Sequence, residues 1–144
     1  MEEIRARTAF EWTADYAVGV PQIDDEHQQL FALVEKMHQA MIEGKGREFL
    51  EDLLMCLVSY TCYHFAHEEQ LMERIAYPGY REHRRQHEDL RSRLRPMQDR
   101  ADSGQETMTI EVMLFLMEWL KTHVTTSDRL IGTFIMTNGI SLVP

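Results

Sequence analysis

The sequence predicts an all-α protein, an up-down-up-down antiparallel four-helix bundle with an extended N-terminal arm. Apolar residues recur at alternating spacings of three and four along four long segments, which is the period of an amphipathic helix. Short breakers rich in Gly, Pro or Asn separate these segments. Short connections between long helices make neighbouring helices antiparallel, so the pattern predicts a bundle rather than an extended helical array.

The four helices are predicted from about residue 22 to 43, 48 to 76, 80 to 101 and 106 to 137. Leu130 and Phe134 are expected to continue the apolar seam of the fourth helix. Residues 1–20 show no helical period and are predicted to lie over the bundle as an arm, while residues 138–144 form a tail. A chain of 144 residues fits a single domain.

Pro96 breaks the pattern of the third helix. Proline has no backbone N–H and its ring crowds the preceding turn. The sequence therefore predicts a kink or a break near Leu94–Pro96.

Composition and charge exclude several classes of function. The chain has 15 Lys and Arg against 24 Asp and Glu, a net charge of −9, which disfavours nucleic-acid binding. The N-terminus lacks the apolar stretch of a secretory signal, and the apolar run at 112–117 is too short to span a membrane.

Cys56 and Cys62 are six apart on one predicted helix, too far to bridge, so two buried thiols in a reducing cytoplasm are expected.

Six ionisable side chains occupy seam positions where the helical pattern calls for Leu or Ile: His27, His64, Glu68, His83, His87 and His123. Burying so many polar groups in a small core is costly unless each one finds a partner. A metal centre would satisfy all of them together, and all four predicted helices contribute to the set.

The spacing of these residues supports a shared centre. His64 and Glu68 are four apart, as are His83 and His87, so each pair lies on one helix face. Asp128 follows His123 by five residues, about 140° around the helix, and is expected to reach the centre from the flank. Five imidazoles and two carboxylates are too many for one tetrahedral zinc and suit two ions, such as Fe, Zn or Mn, that share bridging carboxylates.

Each of these short motifs is weak by itself, because solvated helix faces often carry His-x-x-x-His or His-x-x-x-Glu pairs. His38 and His67 are left out of the ligand set and interpreted as solvated histidines or as outer partners of the ligands. The chain has a single Glu-x-x-His motif, Glu35 to His38, whereas ferritin-like di-iron proteins use two. That class therefore fits poorly.

A set of longer motifs spans nearly the whole chain. They are Trp12 with Tyr16-Ala17-Val18-Gly19, Ile23-Asp24-x-x-His27, His64-Phe65-x-x-Glu68-Glu69-x-x-Met72, Tyr77-Pro78, His83-x-x-x-His87, and Trp119-Leu120-x-x-His123-x-x-x-x-Asp128. Together they resemble the hemerythrin family, and in particular the bacterial hemerythrins.

This resemblance implies a cofactor of two iron ions with an oxo or hydroxo bridge. His83, His87 and His123 would hold one iron, and His27 and His64 would hold the other and leave a position open for dioxygen. Glu68 and Asp128 would bridge the two ions. The implied function is reversible dioxygen binding. We expect a cytoplasmic, monomeric oxygen carrier or store that is not an enzyme.

Four apolar residues beside the ligands are the expected walls of an oxygen pocket: Phe31, Phe65, Leu120 and Val124. The family often has isoleucine where this chain has Val124. Two other functions fit the same irons: an oxygen or redox sensor acting through an unidentified protein partner, and an enzyme that turns over peroxide or nitric oxide.

Overall fold

A computed structural model describes residues 11–104 and 110–142 of the chain. Five α-helices follow a 3₁₀ turn at Ala14–Tyr16, and one π-helical segment separates the last two helices. The helices are α1 (Pro21–Ile42), α2 (Arg47–Arg74), α3 (Tyr80–Asp102), α4 (Ile110–His123) and α5 (Arg129–Thr137), with the π-helical segment at Val124–Asp128. No strand occurs among the described residues.

The predicted four-helix bundle is confirmed. Helix α1 packs against α2 and α4, and α2 packs against α3, while α4, the π-helical segment and α5 together form the fourth helix of the bundle. The described helix ends lie within two residues of the predicted ones. The predicted start of the fourth helix, at residue 106, lies outside the described residues.

Two apolar clusters fill the bundle, one on each side of a layer of buried polar side chains. Along α1, Ile23 belongs to the smaller cluster and Leu30 to the larger one, with His27 between them. The fourth helix runs the other way through the same three layers. Leu120 lies in the larger cluster and Ile131 in the smaller one, on either side of His123. The polar layer is therefore closed from both sides by apolar packing.

The described part of the arm lies over the bundle, as predicted. Tyr16 meets the ring of Phe31 edge-to-face at a centroid distance of 4.8 Å. The backbone N–H of Val18 donates to the carboxylate of Asp24 at 2.8 Å. A side chain at Gly132 would place its Cβ 1.9 Å from the Val18 carbonyl oxygen, so the close approach of arm and α5 requires glycine.

The π-helical segment changes the register of the fourth helix. Each π turn holds one residue more than an α turn. Two threonine hydroxyls donate to backbone carbonyls in this region, Thr125 to Lys121 at 2.8 Å and Thr126 to Thr122 at 2.6 Å. The prediction for Leu130 was consequently wrong, since it is 59% exposed, whereas Ile131 and Ile135 are buried.

Of the kink or break predicted near Pro96, the break is absent, because α3 continues through this residue to Asp102. Pro96 deprives the Ser92 carbonyl of its usual partner. Both residues are exposed, so water can hydrate that carbonyl, while Leu94 and Met97 remain buried and hold the helix against the bundle.

The expectation of buried thiols was also wrong. Cys56 and Cys62 are both free and both exposed. The buried positions of α2 around them, including Leu57 and Thr61, follow the seam, and the two cysteines fall outside it.

None of the helices in the described parts of the chain has both the length and the apolarity needed to cross a bilayer.

Candidate metal centre

The structure brings all seven predicted ligands into one buried cluster in the polar layer. None of their residues is more than 5% exposed: His27, His64, Glu68, His83, His87, His123 and Asp128. They form two overlapping sets in which one ligand atom from each residue lies within 4.8 Å of the others. His38, which was left out of the prediction, belongs to neither set.

The histidines divide into two groups of unequal size. The three-histidine group contains His83, His87 and His123 from α3 and α4, and the two-histidine group contains His27 and His64 from α1 and α2. In the larger group, the Nε2 atom of His123 lies 3.1 Å from that of His83 and 3.2 Å from that of His87. Two nitrogens that are each about 2.1 Å from one ion and at right angles lie about 3.0 Å apart.

The two carboxylates each face both groups. Glu68 Oε1 lies 2.8 Å from His83 Nε2, and Glu68 Oε2 lies 2.5 Å from His64 Nε2. Asp128 Oδ1 lies 2.9 Å from His83 Nε2, and Asp128 Oδ2 lies 3.0 Å from His27 Nε2. This is the arrangement that two bridging carboxylates need.

Several of these buried atoms make no hydrogen bond with any described residue. They include His27 Nε2, Glu68 Oε2 and both carboxylate oxygens of Asp128, although potential partners lie close by. Buried polar atoms are normally paired, and those left without a partner call for an explanation. Nitrogens and carboxylate oxygens that converge without hydrogen-bond geometry fit metal ligands, so the residues present suit a pair of ions.

The outer nitrogens of three histidines are held by side chains behind them. His64 Nδ1–H donates to Glu26 Oε1 at 2.8 Å, and His87 Nδ1–H donates to Glu69 Oε2 at 2.9 Å. His123 Nδ1 lies 3.0 Å from Gln86 Oε1 and donates to it. In a neutral ring, donation from Nδ1 leaves Nε2 without a proton and facing the cluster, as a metal ligand requires.

Glu26 is a functional candidate that the sequence-based reasoning missed. It is 5% exposed and also accepts a hydrogen bond from His67 Nδ1 at 2.5 Å, so His67 is an outer partner of the site. A signal was available in the sequence, because Glu26 lies three residues after Ile23 and four before Leu30, which are both seam positions.

Without metal, the histidines and carboxylates of the cluster stabilise each other's charged forms. Burial opposes charge on His27, yet the close carboxylates of Asp128 and Glu68 raise its pKa to about 10. The pKa values of His64 and His83 rise to about 9, although burial again opposes this, because Glu68 faces His64 while Asp128 and Glu68 both face His83. Burial would raise the pKa values of Glu68 and Asp128, but the surrounding histidines lower both.

Aromatic and aliphatic side chains enclose the cluster. The ring of Phe65 stacks on His87 with centroids 3.7 Å apart, and Trp119 stacks on His123 at 4.5 Å. The four predicted pocket residues, Phe31, Phe65, Leu120 and Val124, are all buried in the larger apolar cluster. Phe65 and Leu120 also line a small apolar cavity of about 20 Å³.

The family model described as the hemerythrin HHE cation binding domain matches residues 18–135. The chain belongs to the hemerythrin family. The resemblance expected from the motifs is therefore confirmed. Hemerythrins bind dioxygen at a di-iron centre, and the seven buried side chains form a cluster able to hold that cofactor.

Curated relatives and a solved structure agree with this assignment. A bacteriohemerythrin of Pseudomonas aeruginosa is 32% identical over 117 residues, covering 81% of this chain and 75% of the relative. A hemerythrin of Sipunculus nudus is 29% identical over 119 residues, covering 83% of this chain and 87% of that relative. The crystal structure of a wild-type hemerythrin superimposes with a TM-score of 0.79 at 28% identity, covering 85% of this chain and 94% of that one.

Proposed function

We propose that this protein binds dioxygen reversibly and acts as an oxygen carrier or store. The observation that carries the proposal is the unequal division of the cluster into three histidines and two, with two carboxylates facing both groups. We assign His83, His87 and His123 to one iron, His27 and His64 to the other, and Glu68 and Asp128 to the bridges. The two-histidine group then has one protein ligand fewer, which leaves a position for a small exogenous ligand.

When bound, the ferrous ions with their oxo or hydroxo bridge supply the electrons that reversible dioxygen binding needs. The protein contributes a dry enclosure, because Phe31, Phe65 and Val124 are at most 1% exposed. Excluding water from such a site disfavours the escape of charged oxygen species. We therefore propose that these residues, with Leu120, form the walls of the oxygen pocket.

A carrier is favoured over a di-iron enzyme by the lack of a free acid or base. Among the described residues, the buried polar side chains other than the seven proposed ligands are Glu26 and Thr61. Glu26 is engaged by two histidines, and the Thr61 hydroxyl donates to the Leu57 carbonyl at 2.7 Å. Neither is available to deliver a proton to a substrate.

We further propose a cytoplasmic monomer without nucleic-acid or membrane partners. The exposed free thiols of Cys56 and Cys62 fit a reducing compartment. A net charge of −9 disfavours association between copies of the chain and with nucleic acid. Sedimentation of the iron-loaded protein should give the mass of one chain, and a dimer would contradict the monomer.

Repeated oxygenation of the reduced, iron-loaded protein tests the main proposal. We expect two irons per chain and an optical spectrum that returns to its starting point over several cycles of oxygen and argon. Immediate conversion to the diferric state would favour a sensor or an enzyme. Steady consumption of added peroxide or nitric oxide would favour an enzyme, and failure to bind two irons would reject the di-iron assignment.

A further inference from the structure

Glu26 is the one buried carboxylate among the described residues that is not a proposed ligand. It lies behind His64, on the side of the ring that faces away from the cluster, and both of its oxygens are engaged. Oε1 accepts from His64 Nδ1 at 2.8 Å, and Oε2 accepts from His67 Nδ1 at 2.5 Å. Gln22 Nε2 also donates to Oε2 at 3.4 Å.

The carboxylate behind the three-histidine group has a different environment. Glu69 accepts from His87, but Arg91 also donates to it at 3.0 Å, and Arg84 lies 3.8 Å away. Within the described chain, the ion-pair partners of Glu26 are both histidines, and neither carries the permanent charge of Lys or Arg. His123 has a neutral partner, Gln86.

We propose that Glu26 is a positioning residue of the di-iron centre, which fixes His64 for ligation and places a buried negative charge behind the two-histidine group alone. This inference rests on the proposed function. The fixed Nδ1–H donation keeps Nε2 as the ligand atom, as carboxylate partners of metal-bound histidines do. The negative charge of Glu26 makes His64 Nε2 a stronger electron-pair donor to the metal. It also favours the more positive, ferric state of the nearer iron.

Glu26→Gln and Glu26→Ala separate the two roles. The glutamine amide can still accept from His64 and donate to His67, so this variant removes charge and keeps the shape. We expect its equilibrium between ferrous and ferric protein to shift about tenfold toward ferrous, or about 59 mV for one electron. Glu26→Ala also removes the acceptor, and we expect the protein to lose iron to a chelator about 10- to 100-fold faster.

Asp25→Asn is the matched control, because it removes the same formal charge at the neighbouring, exposed position. Spectroelectrochemical titration and chelator-driven iron release are measured on all four proteins after iron loading. We expect Asp25→Asn to match the wild type in both measurements, because water screens an exposed charge.

Equal midpoint potentials in Glu26→Gln and Asp25→Asn would overturn the electrostatic role. Equal rates of iron release in Glu26→Ala and wild type would overturn the positioning role. The wild-type protein tests the proposed function separately, since a chain that loads two irons and oxygenates reversibly leaves only the role of Glu26 in question.

Discussion

The two histidine groups of the centre differ both in number of ligands and in what stands behind them. Behind the three-histidine group, Glu69 is paired with Arg91, and Gln86 accepts from both His123 and the Ser127 hydroxyl. Behind the two-histidine group, Glu26 is buried and bonded to histidines. On the proposed assignment, the three-histidine group is complete in ligands and balanced in charge, while the two-histidine group has fewer ligands and a buried anion.

On the proposed assignment, this difference gives two similar ions different roles within one bundle. The two proposed bridging carboxylates do not distinguish the groups, because each of them directs one oxygen to either side. The asymmetry comes from the helices, since α1 and α2 each contribute one histidine while α3 contributes two and α4 one. Variants that remove a ligand from one group or the other should therefore have unequal consequences.

The largest effect is expected from His64→Ala, with His87→Ala as its counterpart in the three-histidine group. His64→Ala leaves a single histidine for its iron, so we expect about one iron per chain and complete loss of reversible oxygenation. His87→Ala leaves two histidines in its group and should retain more iron. Metal analysis together with the optical spectrum under oxygen measures both effects.

An intact oxygenated spectrum in His64→Ala would reject its assignment as a ligand of the open iron. Equal iron content in the two variants would show that the groups are equivalent in affinity, contrary to the comparison. Circular dichroism of both variants establishes that the bundle itself has formed.

Removing the metal should have the next largest effect, on stability. A ligand present at about 1,000 times its dissociation constant adds about 4 kcal/mol, or roughly 10 °C in Tm for a chain of this size. We expect the iron-loaded protein to melt higher than the apoprotein by about this amount.

Loading at pH 7 should also release protons, since the pKa values of His27, His64 and His83 in the metal-free protein are about 9 to 10.

The same pKa values set the pH dependence of that difference. A histidine whose folded pKa lies above its unfolded value of about 6.5 stabilises the apoprotein fully below pH 6.5, and this contribution is lost as pH rises toward 9 or 10. In the loaded protein the same rings would be neutral ligands, so their contribution to stability does not change over this pH range. The Tm difference should therefore widen from pH 6.5 to 9; a constant or narrowing difference would contradict the charged state of the empty cluster.

The sequence predicted the bundle and the seven side chains that cluster in its polar layer, because both depend on helical periodicity and on polar residues in an apolar seam. It did not predict the π-helical segment. The five-residue step from His123 to Asp128 signalled an extra residue, yet it was interpreted as a flank position on an α-helix. That choice also placed Leu130 in the core, because one inserted residue rotates every position after it.

Partners behind the ligands were harder to find from sequence. His67 was recognised as a potential outer partner, but Glu26 was missed because a glutamate near the start of a helix is usually solvated. Its burial depends on two histidines of α2 facing it from the neighbouring helix. Such a contact across 38 or 41 residues is a property of the fold and not of local pattern.

A smaller effect is expected from Gln86→Ala on the three-histidine side. This change removes a neutral acceptor from His123 Nδ1 and leaves all seven ligands in place. We expect iron loss to a chelator to accelerate about tenfold, the lower end of the usual range for outer partners of metal ligands. Gln29→Ala, at an exposed position of α1, is the control. A larger effect than that of Glu26→Ala would reverse the comparison between the groups.

The smallest effect is expected from Val124→Ile, which acts on access to the site. Val124 is completely buried and directly follows His123, at the start of the π-helical segment. An added methyl group should narrow the route by which water and protons reach the centre, so we expect autoxidation of the oxygenated protein to slow a few-fold. Overpacking a full core costs about 1–3 kcal/mol, so a lower Tm should accompany this change.

Ile131→Val separates access from packing. Ile131 lies in the smaller apolar cluster, on the other side of the polar layer, and losing one methyl there should cost about 1 kcal/mol. If stability alone governed autoxidation, both variants would autoxidise faster than the wild type. Slower autoxidation in Val124→Ile despite a lower Tm requires the side chain at 124 to restrict access, whereas an unchanged rate would make the valine a neutral replacement.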